Sequence, residues 1–102
     1  MDKELALVAI RKFSDSVRTI LDPVMVVLYG SYARGTQTES SDIDVAVVVD
    51  RVEGDYLDQE ARLCRIRRDI DDRIEPVLLE KDNDRSGFLR SIMESGEIVY
   101  RR

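Results

Sequence analysis

Apolar residues recur at helical spacing along the first part of the chain. Leu5, Ala9, Phe13 and Val17, with Val8, Ile20 and Leu21 beside them, predict an amphipathic helix over residues 2–21. Asp22-Pro23 stops it, because proline disfavours helical geometry in the residue before it. The period then changes: residues 24–29 form an unbroken apolar, β-branched run between Pro23 and Gly30, the pattern of a buried strand. Residues 30–36 read as a short helical turn and 37–41 as an exposed loop. Residues 42–49 are a second strand, strongly β-prone except for two carboxylates at its start. After a polar connection, residues 55–72 carry Leu57, Ala61, Leu63, Cys64, Ile66 and Ile70 as an inward stripe on a charged helix. Residues 74–79 predict a third strand, with Pro76 favouring an edge or a strand start because it cannot donate to the ladder. A last helix over 84–95 turns Phe88, Leu89, Ile92 and Met93 inward and ends at Gly96. Residues 97–100 make a short final strand.

Alternating helices and strands, without repeats, linkers or low-complexity tracts, imply one α/β domain over residues 1–102, a sheet flanked by helices. About a dozen residues separate the first two strands, near the lower limit for a parallel crossover, so a mixed or partly antiparallel sheet is expected.

Composition narrows the chemistry. With 16 Lys plus Arg against 21 Asp plus Glu, the net charge of −5 opposes the general attraction to phosphate that drives nucleic-acid binding, and no direct nucleic-acid contact is expected. Arg62, Arg65, Arg67, Arg68 and Arg73 are interleaved with Asp58, Glu60, Asp69, Asp71 and Asp72, which reads as a solvated, ion-paired face. Histidine is absent, so the usual general base near neutral pH and the commonest transition-metal ligand are both missing. The single cysteine, Cys64, has no intramolecular partner and reads as a small buried apolar residue. Neither a secretory leader nor a membrane-length apolar run is visible, and a cytoplasmic protein is expected.

The informative residues are Asp42 and Asp44. Strand alternation puts them on one face with Cα atoms about 6.6 Å apart, at ~3.3 Å per residue. Carboxylates this close repel unless a cation lies between them, and Mg²⁺ takes oxygen ligands of this kind. The plainer alternative is a loop end with Asp42 capping a turn. Gly30-Ser31 ends the preceding strand and opens the helical turn, where a glycine allows a phosphate close to the backbone and the amides and hydroxyl offer donors. Walker A is excluded, since Thr36-Gln37 stands where Lys and Ser/Thr are required.

Together the segment reads GSYARGTQTESSDID, a Gly-Ser turn, ten residues, then Asp-x-Asp. It resembles the nucleotidyltransferase superfamily of DNA polymerase beta type, and within it the minimal nucleotidyltransferases, small single-domain proteins with GSxARG before the Asp pair. The resemblance implies a single-domain nucleotidyltransferase fold, Mg²⁺ as cofactor and ATP as substrate. It implies catalytic, metal-holding roles for Asp42, Asp44 and a third carboxylate. Glu75 is the candidate for that third place, although the family more often has Asp there; a surface glutamate pairing Arg73 is the alternative, and Asp71 and Asp72 fall at the helix end. Gly30, Ser31 and Arg34 would bind the nucleotide, Arg34 having a surface pairing with Glu39 as its other reading.

The resemblance further implies an antitoxin that transfers AMP to a tyrosine of a HEPN ribonuclease toxin. Two alternatives stay open. One is a binding module that masks its partner without catalysis. The other is a nucleotidyltransferase acting on small molecules of aminoglycoside type, where a homo-oligomer would complete the pocket.

Overall fold

The computed structural model describes residues 2–102, in the order α1 (Lys3–Val17), β1 (Met25–Tyr29), α2 (Ser31–Arg34), β2 (Ile43–Val49), α3 (Tyr56–Arg68), β3 (Ile74–Glu80), α4 (Phe88–Ser95) and β4 (Glu97–Arg101). The sheet order is β3-β2-β1-β4. β1 runs antiparallel to both β2 and β4, while β2 and β3 are parallel. The short connection between the first two strands thus closes an antiparallel pair, and the longer one, carrying α3, closes the parallel pair, as crossover length requires.

Both faces of the sheet are covered, which is why the central strands read as unbroken apolar runs. On one face α1 and α3 pack Ile10, Phe13, Val17 and Leu63 against Val26, Leu28, Val45 and Val47. On the other, α4 sets Leu89 and Ile92 over Val27, Ala46 and Val48. Asp2 caps α1 through Leu5 N–H at 2.9 Å, and Asp55 caps α3 through Leu57 N–H at 2.8 Å. At the α4–β4 junction a Cβ on Gly96 would lie 2.5 Å from Ile92 O and 2.8 Å from Val27 Cγ1, so only glycine lets β4 turn this tightly against the sheet.

Several expectations are corrected. The first helix stops at Val17 and continues as turns, and Leu5 and Val8 are 56% and 45% exposed. At ~100° per residue they lie about 80° and 140° round the helix from Phe13, outside its buried stripe. Leu57 and Ala61 are likewise exposed, about 120° and 160° from Leu63. α3 ends at Arg68, so Asp71 and Asp72 belong to the following turn. α4 begins at Phe88, because Asp84 is spent outside the helix as the acceptor for Leu89 and Arg90 N–H at 2.8 and 3.0 Å. Phe88 itself is 41% exposed. Pro76 does lie in an edge strand, and Cys64 is half-buried and unpaired. Among the described residues no helix is long and apolar enough to cross a membrane.

Phe13 is fully buried where α1 meets the sheet and, after Tyr32, is the largest side chain buried on that face. Phe13→Ala is expected to cost about 3–5 kcal/mol of unfolding free energy, read from urea denaturation followed by far-UV circular dichroism.

Candidate active site

β1 ends at Tyr29 and is followed by Gly30, whose φ of 74° and ψ of −152° are open only to glycine, and the chain turns there into α2. The turn closes with Arg34 N–H donating to Gly30 O at 3.1 Å, and ends at Gly35 with φ 76°. A Cβ on Gly30 would fall on the Oδ2 of Asp44 and 3.1 Å from its Cγ. The two halves of the motif, separate in sequence, are therefore in contact. Antiparallel pairing of β1 with β2 brings the start of the second strand back beside the end of the first.

The register extends this contact into a row. Tyr29 pairs with Asp44 across β1 and β2, and Asp44 with Glu75 across β2 and β3. All three lie on the α4 face, where Tyr29 packs at the margin of the patch that α4 covers. Asp42 lies just before β2, outside the strand, and acts on the Asp44 carboxyl from there. Asp44 is half-buried; its carboxyl titrates above its usual range, first because of burial, then because of Asp42 and Glu75, with Arg34 opposing the shift. The Tyr29 phenol is pushed up to about 12 by burial, with Asp44 and Glu75 adding to it. Two carboxylates and the Arg34 guanidinium thus act on Asp44.

Glu75 does not pair with Arg73. Its Oε1 lies 3.7 Å from Arg67 Nη1, which donates to Asp72 O at 2.8 Å and Ile74 O at 3.0 Å. Arg73 instead binds Asp71 at 3.0 Å. Arg34 and Glu39 form no ion pair among the described residues, and neither do Arg62, Arg65 and Arg68. The expected ion-paired face is therefore mainly a solvated one, with only Arg67 and Arg73 of its five arginines in ion pairs among the described residues.

Sequence reasoning missed Tyr29, Phe88 and Arg67. The position of Tyr29 directly before Gly30-Ser31 was a signal for the first; Phe88 and Arg67 reach the row only through tertiary packing. Among the described residues no three acidic, histidine or cysteine side chains stand together as a group that could hold a metal ion. The row is nonetheless all oxygen, and hard divalent ions are held by one or two carboxylates with substrate phosphates completing the shell. A cavity of about 540 Å³ lies elsewhere, between Leu21, Val49, Val52 and Leu78 at the far ends of β2 and β3. Its size alone does not outweigh the chemistry of the row, which lies on open surface.

The chain matches the family described as nucleotidyltransferase domain over residues 10–99. It belongs to that family. A protein of Methanocaldococcus jannaschii provisionally named protein adenylyltransferase is 34% identical to this nucleotidyltransferase over 77 residues, 74% of this chain and 76% of the relative. A second protein of that organism, with the same provisional name, is 45% identical over 42 residues, 39% of this chain and 42% of the relative. In fold, the nucleotidyltransferase is similar to a crystal structure from Sulfolobus solfataricus provisionally named nucleotidyltransferase, with a TM-score of 0.73 at 19% identity over 98% of this chain and 84% of the other. It is also similar to a chain in a crystal structure described as a toxin-antitoxin with AMP-PNP, with a TM-score of 0.66 at 22% identity over 89% and 72% of the two chains.

Proposed function

We propose that this nucleotidyltransferase is an antitoxin that transfers AMP from ATP to a tyrosine hydroxyl of a partner HEPN ribonuclease toxin. The observation that carries the reading is the row Asp44–Glu75, with Asp42 beside it, in contact with the Gly30 turn on an open sheet face. Asp42 and Glu75 are exposed to solvent, so the acceptor hydroxyl can arrive on the surface of another molecule. The provisional names of the relatives and the toxin-antitoxin neighbour support the choice of a protein acceptor.

In this reading Asp42, Asp44 and Glu75 would hold Mg²⁺, which would supply neutralisation of the phosphate charge. Gly30 lets the Asp44 carboxylate lie directly against the turn, and Ser31 with the α2 amides donates to the outer oxygens of the triphosphate. Arg34 offers a planar fork of donors to the same oxygens. The tyrosine oxygen forms a bond to the α-phosphorus, the bond from that phosphorus to the α–β bridging oxygen breaks, and pyrophosphate leaves. The phenolic proton passes to solvent. Without histidine, positioning and charge neutralisation supply the catalysis.

The test is label transfer in lysate of the source cells with ATP labelled at the α- or the γ-phosphate. A discrete protein band labelled from the α-position alone, gaining one AMP by mass, is the expected result. Labelling from the γ-position instead, or of a drug acceptor without any protein partner, overturns it.

A further inference from the structure

Phe88 is the first residue of α4, and it does not share the burial of the residues that follow it: Leu89 and Ile92 are 8% and 3% exposed, whereas Phe88 is 41% exposed. Its ring meets Tyr29 edge to face, with centroids 5.8 Å apart and planes at 89°. Whichever ring supplies the edge, at least one face of Phe88 is left uncovered by Tyr29. The backbone beneath it is fixed, since Asp84 accepts from Leu89 and Arg90 N–H and the Ser86 hydroxyl oxygen accepts from Phe88 N–H at 3.3 Å. Tyr29 in turn is the register partner of Asp44. Between the α-phosphate and the base of a nucleotide lies one ribose; between Asp44 and Phe88 lies one tyrosine ring.

We propose that Phe88 is the nucleobase platform of this site, its open face stacking on the base of the nucleoside triphosphate whose phosphates lie against Gly30 and Asp44. The proposal rests on the reading of the carboxylate row as the triphosphate site, and adds where the base goes. Purine and pyrimidine faces both stack on a phenyl ring, so the platform grips the base without reading its hydrogen-bonding edge. ATP and GTP should therefore bind with similar affinity.

The chain has no tryptophan, so Phe88→Trp places a single indole at the platform. Titrated with Mg²⁺-ATP, its fluorescence is expected to be quenched to saturation; Mg²⁺ with inorganic tripolyphosphate, which has no base, should leave it unchanged. By equilibrium dialysis, Phe88→Ala is expected to bind ATP about tenfold more weakly, with tripolyphosphate affinity unaltered. Phe88→Leu keeps an apolar cover on Tyr29 without a stacking face, and should behave as Phe88→Ala does.

Unchanged ATP affinity in both variants overturns the proposal, as does an equal loss for tripolyphosphate. Transfer that falls while ATP affinity holds would assign the ring to the acceptor instead, and also overturns it. If the unaltered protein binds neither ATP nor tripolyphosphate, it is the underlying reading of the row that fails.

Discussion

Asp44→Asn is expected to lower nucleotidyl transfer by about 10³-fold or more, since on the proposed reading it removes the central charge of the row that, with Mg²⁺, neutralises the phosphates. The protein should nevertheless stay folded and gain stability at neutral pH. Burial, Asp42 and Glu75 all raise the Asp44 pKa in the folded state, so its ionised form is less favourable there than in the unfolded chain. A raised carboxyl pKa contributes destabilisation above that value, which fades as pH falls through it and is gone below the ordinary value of 3.8. The gain of Asp44→Asn over the unaltered protein should therefore be largest near neutrality and vanish in acid, as followed by thermal melts across pH. A destabilised variant would mean that Asp44 is held by partners that favour its charge. Neutralisation of the partner that survives this substitution would favour masking over catalysis.

Gly30→Ala is expected to be inactive for a different reason. Its φ of 74° with ψ of −152° is a region that L side chains scarcely enter, and the new methyl would overlap the Asp44 carboxylate. Strain of this kind costs about 1–3 kcal/mol on its own. With the displaced carboxylate added, the loss should be about 3 kcal/mol by urea denaturation. Because part of that cost is a contact with one side chain, Asp44→Ser in the Gly30→Ala background should recover some stability. Strict additivity of the two substitutions would place the whole cost in the backbone.

Much of this was legible in the sequence for identifiable reasons. The strands covered on both faces announced themselves as unbroken apolar runs, and glycine, proline and capping aspartates punctuated them. The Gly-Ser turn and the Asp pair were recognisable because the chemistry requires those residue types at close range. The helices read less well: Leu5, Val8, Leu57 and Ala61 are apolar yet lie off the buried stripe, because periodicity shows a spacing but not which neighbour fills the face. Glu75 could be singled out only as a carboxylate at a strand start. Its place beside Asp44 comes from the parallel register of β2 and β3, and its link to Arg67 from a helix-to-strand turn that no local pattern encodes. Phe88 was assigned to the core for its hydrophobicity and helical position, and its exposure follows from where α4 begins.

The placing of the strands has a consequence for how this surface comes apart. β1 and β2 are central, and each has a neighbour on both sides, whereas β3 and β4 form the two edges. Amide hydrogens on the central pair should exchange slowest with solvent deuterium, and those of the edge strands first, since local opening starts where fewer partners must be released. An opening at β3 carries Glu75 away while leaving Gly30 and Asp44 in contact. The turn and Asp44 are thus welded into the most persistent part of the molecule, and Glu75 is hung on a part that can detach.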